Sequence, residues 1–397
     1  MTTGKLRGMH PMMARCVDKL SDYLDSIIAS KSQGALNIKE VMVGFAVDVI
    51  ASTSFATDVN ITDRSSSNPF LFNAIRLFDF KVWRFALLFL LPDVVNRAIG
   101  NSIGLSDKRF NFFRDLARAI IKQRKEAKLA NGGKNKQRSD IVQLMIDAYV
   151  YEDSLRDTSY AKLTASAEND DHHEAEPQKS TNNSTSSKKR LTENEIIAQC
   201  ILVFAAGFET TATTTSNILY FLSLNPEIQD RLVEELNSSL KGVEEDSAEY
   251  YEVVMNRSPY LEAVIKETLR ISPPVGRLQR RVGVDGYQLG GITLDKNIEV
   301  DISVLAVHRD PRYYPEPDRF NPDRFLPENK HLLTPYTFLV FGDGPRNCMG
   351  MRFAYQEIRL CLAKIVRRFA FERTPETVVP LNYDKIGFLT CKNIPLK

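Results

Sequence analysis

Ten residues constrain this chain more than any others: Phe341-Gly-Asp-Gly-Pro-Arg-Asn-Cys-Met-Gly350. Glycines and a proline crowd around one cysteine, which specifies a shaped backbone rather than a generic loop. The loop runs into a stretch whose apolar spacing predicts a helix from about 349 to 368, so Cys348 stands at a helix start. Free backbone N–H groups and the helix dipole favour a thiolate there, and Arg346 adds positive charge two residues away. A lone cysteine at a helix start is structural more often than reactive. The spacing Phe-x-x-Gly-x-Arg-x-Cys-x-Gly carries far more information than that.

Charge and composition narrow the classes. Lys+Arg 52 against Asp+Glu 50 leaves a net charge of +2 on 397 residues. That excludes a strongly basic nucleic-acid binder, and no nucleic-acid partner is expected. A hydrophobic share of 43% excludes disorder throughout. Cys16, Cys200, Cys348, Cys361 and Cys391 are widely spaced and include no CxxC, against both a zinc cluster and a disulfide framework. A reducing compartment fits them better. The start, MTTGKLRGMHPMM, shows no secretory signal. The longest aliphatic and aromatic run of the N-terminal half, Phe85–Leu91, is far below the ~20 residues of a membrane span. The sequence as written is expected to carry no transmembrane anchor.

Periodicity predicts a mainly helical chain without internal repeats. Helices are expected over 11–30 starting at Pro11, 36–56, 68–79 and 105–128, the last with Phe110, Phe113, Leu116 and Ile120 on one stripe. Residues 82–95 (VWRFALLFLLPDVV) read either as buried core or as a surface dipping into a bilayer. Residues 129–138 read as a loop, with Ser139 opening a short helix after it. Residues 151–190 are polar, acidic and then Ser/Thr-rich, a flexible surface insertion by composition. Thr192-Glu-Asn-Glu195 is a capping box that starts a long helix from about 193 to 223. Asn225-Pro226 and Ser258-Pro259 each read as N-cap and first-turn proline. Short strands are expected within 276–305, then a proline-rich, aromatic-rich meander over 309–337.

The ten-residue loop resembles the haem-ligating loop of the cytochrome P450 family. The resemblance implies that Cys348 is the thiolate ligand of haem iron, which favours O–O cleavage. It implies that Arg346 pairs with a haem propionate, that Phe341 shields the sulfur, and that Gly344 and Gly350 permit the turn and close approach. Ala206-Gly-Phe-Glu209-Thr210-Thr211 matches the family's element inside the long helix. Read plainly, its glycine is a small-residue packing contact. Beside the other matches it is a local helix distortion next to the iron. Thr210 then hydrogen-bonds dioxygen or a water, Glu209 relays protons, and Ala206 belongs to the cofactor-binding set. Glu267-Thr-Leu-Arg270 with Arg324 matches the family's buried structural triad. Arg280 is implied as the second propionate partner, on a strand over the haem that also carries Arg277. Val275 and Gly276 are implied as pocket-lining.

The closest flavour is the microsomal, xenobiotic-oxidising animal clan, on ALNIKEVMVGFAVDVIASTSF, SDIVQLMIDA, AVHRDPRYYPEPDRFNPDRF and TPYTFLVFGDGPRNCMGMRFA. The implied fold is the P450 fold, mainly α with small β-sheets, in one domain over 1–397. The family pattern leads one to expect that this chain lacks the N-terminal anchor, the first sheet strands and the first helices. The single tryptophan, Trp83, does not match the family's propionate-gripping Trp and Arg. The implied cofactor is haem b (iron protoporphyrin IX). The implied partners are NADPH-cytochrome P450 reductase, a small apolar substrate and a membrane surface, at the cytosolic face of the endoplasmic reticulum. The expected activity is monooxygenation. The competing reading is a non-catalytic truncated member with impaired haem binding. An isomerase acting on a peroxide is disfavoured by the Glu209–Thr210 pair, and a cysteine hydrolase by the lack of a partnered histidine motif near Cys348. His308-Arg-Asp310 imitates a kinase loop without the asparagine that should follow, and His172-His173 falls in the polar insertion.

Overall fold

A computed structural model describes residues 3–30, 34–55, 57, 69–77, 108–130, 140–146, 149–151, 188–245, 247–383 and 388–397. The expectations for 82–95 and for Ser139 lie outside the described residues, as does the polar stretch from 152 to 187 with His172-His173; the ends of that stretch, Tyr151 and Lys188–Arg190, are described and pair as strands. The first elements are α1 (Thr3–Ala29), β1 (Leu36–Asn37), α2 (Ile38–Ile50), a π-helical turn (Ala51–Phe55), α3 (Pro69–Leu77), α4 (Lys108–Ala130) and α5 (Ile141–Ile146). β2 (Tyr149–Tyr151), β3 (Lys188–Arg190), α6 (Glu193–Leu224), α7 (Pro226–Ser239), α8 (Ala248–Asn256) and α9 (Pro259–Ile271) follow. Then come β4 (Arg277–Arg281), β5 (Tyr287–Leu289), β6 (Ile292–Leu294), β7 (Glu299–Ser303), α10 (Val304–His308), α11 (Met351–Arg368) and β8 (Pro395–Leu396). The strands pair antiparallel as β1–β8, β2–β3, β4–β7 and β5–β6. The chain is mainly helical with small sheets, as its periodicity predicts. It divides into two compact units, Met1–Ser26 with Val43–Glu209 and Ile27–Met42 with Thr210–Lys397.

In the first unit, Pro11 does not start a helix; it lies inside α1, two turns in. Met9, Met13, Val17 and Leu20 are buried at helical spacing on both sides of it. Burying that face outweighs the interior-proline penalty of about 3 kcal/mol. On α4 the buried line is Phe113, Ala117, Ile121 and Arg124, one residue round from the expected stripe, whose Phe110, Leu116 and Ile120 are half-buried. Arg124 turns inward because Asp140 receives its guanidinium at 2.6 and 2.9 Å. Asp140 also caps α5 by accepting the Gln143 N–H at 2.9 Å. Rings of Phe55, Phe70, Phe113 and Phe204 pack together, Phe113 and Phe204 at 4.3 Å between centroids.

The capping box forms as expected. Glu195 N–H donates to Thr192 Oγ1 at 3.3 Å, and Thr192 N–H donates to the Glu195 carboxylate at 2.7 Å. Among the described residues α6 is the one helix long and apolar enough to cross a membrane. Phe204, Phe208, Thr215, Leu219 and Leu222 on it are buried, which is the pattern of a core helix.

In the second unit, Asn225 and Ser258 sit at the N-cap positions but neither side chain caps. Asn225 instead donates back to Phe221 O at 2.7 Å. The start of α9 is capped by Glu235 of α7, which accepts the N–H groups of Tyr260 and Leu261 at 2.7 and 3.0 Å. The last expected strand stops early. Ser303 Oγ accepts the Ala306 N–H at 3.2 Å and turns the chain into α10.

His308 is no kinase-loop residue but a buried staple. Its Nδ1 lies 3.0 Å from Arg270 O and its Nε2 accepts the Leu339 N–H at 2.9 Å, which requires the neutral Nδ1–H tautomer. Loss of water, with Arg270 close by, pushes its pKa down to about 4. The unfolded chain therefore takes up a proton between about pH 6.5 and 4 that the folded chain refuses. Stability is full above that window and falls by about 3 kcal/mol as pH drops through it. Urea unfolding across the window should show this slope in wild type and lose it in His308→Gln. Parallel profiles would remove the assignment.

Candidate functional site

The loop before α11 is closed by its own backbone. Cys348 N–H donates to Phe341 O at 2.8 Å and Asn347 N–H to Gly344 O at 3.0 Å. Gly342 and Gly344 take φ of 71° and 77°, the left-handed region that favours glycine. Gly342, outside the expected set, shares this conformation with Gly344. Gly350 has φ of −89°, and an added Cβ there would meet Cys348 Sγ at 3.8 Å, so the backbone turn itself does not call for glycine at 350.

Cys348 is the exposed member of five free cysteines; the other four are buried. Loop atoms packed under the sulfur strip water from it and push its pKa up. The N–H groups of Gly350 and Met351 pull it back, with the smaller effect. Arg346 is exposed, and the pull of the two N–H groups does not outweigh the loss of water. A bound metal cation would supply the missing charge. Phe341 is half-buried, its ring 5.2 Å from that of Tyr355.

Strand β4 meets this loop. Arg280 donates to Asp343 O at 3.3 Å and to Gln279 O at 2.9 Å, leaving its charge without a carboxylate among the described residues. Arg277 is committed elsewhere, to Asp301 at 3.2 Å. The structure thus gathers Arg280, Phe341, Gly344, Arg346, Cys348 and Gly350 at one place. Ala206, Glu209 and Thr210 lie on α6, Ala206 exposed and the other two half-buried. The helix runs regularly through them, so the expected distortion is absent. Gly207 is explained by packing, since a Cβ there would come within 2.5 Å of Ile50 Cδ1. Gly276 is likewise a packing glycine, with Leu389 Cδ1 2.9 Å from where a Cβ would stand. A cavity of about 320 Å³ opens among Tyr220, Val378, Leu381 and Lys392, and no expected site residue lines it.

Behind the loop, Arg270 and Glu267 are completely buried and joined by two bonds of 2.7 and 2.8 Å. Arg270 also donates to His308 O and Pro317 O, each at 2.8 Å. Glu267 accepts the Asn321 N–H at 2.9 Å and has Arg324 Nε at 3.4 Å. Burial pushes Glu267 above the usual carboxylate value against the pull of these partners. His308, which links Arg270 to Leu339 just before the loop, was not visible as part of this support in the sequence. A buried partner for a kinase-like His-Arg-Asp has no local signature.

The donor set is one accessible thiol. Among the described residues no group of three His, Cys, Asp or Glu could hold a metal ion. One thiol with backbone N–H groups behind it suits an iron that brings its own equatorial ligands, which is a haem-thiolate arrangement. The comparisons agree. The Cytochrome P450 family model matches residues 1–395, and the chain belongs to that family. It is 32% identical to Cytochrome P450 3A12 of Canis lupus familiaris over 390 residues, covering 98% of this chain and 69% of that protein. Cytochrome P450 3A2 of Rattus norvegicus is 33% identical over 391 residues, with the same coverage of 98% and 69%. Cytochrome P450 3A11 of Mus musculus is 33% identical over 396 residues, again 98% and 69%. By this resemblance the chain is a cytochrome P450 monooxygenase with a haem-iron cofactor.

Proposed function

We propose that the chain inserts one oxygen atom from O₂ into a small apolar organic substrate. NADPH supplies the electrons through cytochrome P450 reductase, which docks on the Cys348 side. The cofactor is haem b, and the place of work is the cytosolic face of the endoplasmic reticulum membrane. The placement rests on the resemblance to the microsomal clan, and the single catalytic domain on a family match that runs unbroken over 1–395. The observation that carries the chemistry is the closed loop that leaves Cys348 alone exposed at the start of α11.

When bound, the haem supplies O₂ activation, with electron density from the cysteine sulfur favouring O–O cleavage. The chain's residues do the rest. Cys348 ligates the metal, and Gly350 and Met351 hold N–H groups toward its sulfur. Arg346 and Arg280 take the propionates; neither guanidinium has a carboxylate partner among the described residues. Phe341 keeps water from the sulfur, and Gly344 lets the loop turn. Ala206 gives the macrocycle room on α6, Thr210 holds dioxygen or a water by its hydroxyl, and Glu209 brings protons from solvent.

Thr210→Ala tests the relay. NADPH consumption should continue while product per NADPH falls several-fold, measured by product and peroxide analysis of the same reaction. Unchanged coupling would remove Thr210 from the mechanism and leave the Cys348 assignment untouched.

A further inference from the structure

Glu357 has no part in the chemistry above, yet it is an anomalous acid. It is completely buried on α11, and neither carboxyl oxygen finds a hydrogen-bond partner among the described residues. Burial is the only influence on it, and cations of α11 and of the helix α9 packed against it pair with other groups. On α11 itself, Arg359 reaches Glu262 of α9 at 3.2 Å and Met255 O of α8 at 2.9 Å, and Lys364 reaches Glu245 at 3.1 Å. Arg367 donates to Asn237 of α7 at 3.0 Å, and Arg270 of α9 is held by Glu267. Tyr251 of α8 donates to the neighbouring Gln356 at 3.2 Å. Cys361, one turn further on, is the titratable group that feels a charge on Glu357.

An ionised carboxylate in such surroundings is not tolerable, whereas a neutral acid is. We propose that Glu357 is a built-in proton-binding site: the folded chain holds it as a neutral carboxylic acid, and loss of that proton loosens α11 and the Cys348 loop that runs into it. Burial alone, with no opposing charge, raises its pKa well above the ordinary 4.5. The acid sits six residues beyond Met351, about 9 Å along the helix axis. Met351 N–H is bonded to Cys348 O at 3.4 Å, so disorder in α11 reaches the loop directly. The effect is a property of the chain and holds whatever substrate it oxidises.

The sign follows from proton counting. From about the ordinary carboxyl range upward the folded state keeps one proton that the unfolded state has lost, so stability declines as pH rises. Glu357→Gln preserves the shape of the neutral acid and removes the proton. In urea unfolding of the full chain as purified, the ratio of unfolding constants, wild type over E357Q, should rise with pH from the ordinary carboxyl range upward, by at most about tenfold per pH unit. A constant ratio would overturn the proposal. Glu357→Leu serves the same purpose should the glutamine variant not fold. Hydrogen exchange of the wild-type chain is independent of both. Relative to intrinsic exchange, α11 amides should lose protection with rising pH more than α9 amides do, and equal behaviour of the two helices would overturn it as well.

Discussion

Replacing Cys348 by alanine should abolish the red-shifted carbon monoxide band of the reduced protein, while Cys361→Ala should leave it in place. This is the largest effect expected of any single substitution. The band requires a thiolate on the iron, and Cys16, Cys200, Cys361 and Cys391 are at most 3% exposed, so none can stand in. No carboxylate–imidazole cluster among the described residues offers a substitute metal site. The loop should survive the change, because its turn rests on Gly342 and Gly344 and on the bond between residue 348 N–H and Phe341 O, none of which uses the thiol. Cys348→Ala should therefore fold with an unaltered helical signal. A wild-type protein loaded with haem that lacks the band, or a C348A protein that keeps it, would sink the haem-thiolate assignment.

Glu267→Leu should cost about 3–5 kcal/mol, read as a shift of the urea midpoint at unchanged slope. The reason is what remains rather than what is lost. Arg270 is 0% exposed, and without Glu267 its charge stays in the interior with only carbonyl oxygens to accept from it. Asn321 N–H loses its acceptor at the same time. Against a total stability of about 5–15 kcal/mol this is a substantial share. The double change Glu267→Leu with Arg270→Met should recover part of the loss, since two apolar side chains leave no buried charge. Recovery is incomplete because His308 O and Pro317 O then lack their donor. A single-mutant cost below about 1 kcal/mol, the scale of a surface pair, would mean that the interior admits water at this point.

Much of the architecture was legible in the chain. The capping box at Thr192, the extent of the long helix and the turn at Gly344 are local matters. Backbone stereochemistry and the reach of one side chain decide them within a few residues. The cysteine loop is legible for the same reason, and the Glu267–Arg270 pair because it spans less than one helical turn. What failed locally failed against burial. Pro11 continues a helix because Met9 and Met13 are both packed away. Ser258 yields its capping position to Glu235, a carboxylate from another helix that satisfies two N–H groups instead of one.

The sequence by itself determined the family, the cysteine and the shape of the loop that presents it, since these depend on residue types at fixed short spacing. Only the tertiary structure decided the state of the groups that carry charge or need room. Gly207 proved to be space for Ile50, His308 a neutral staple between Arg270 and Leu339, and Glu357 an acid with nothing to pair with. The physical reason is common to all three. Their energies depend on which atoms and how little water surround them, and those neighbours come from parts of the chain that no local pattern connects.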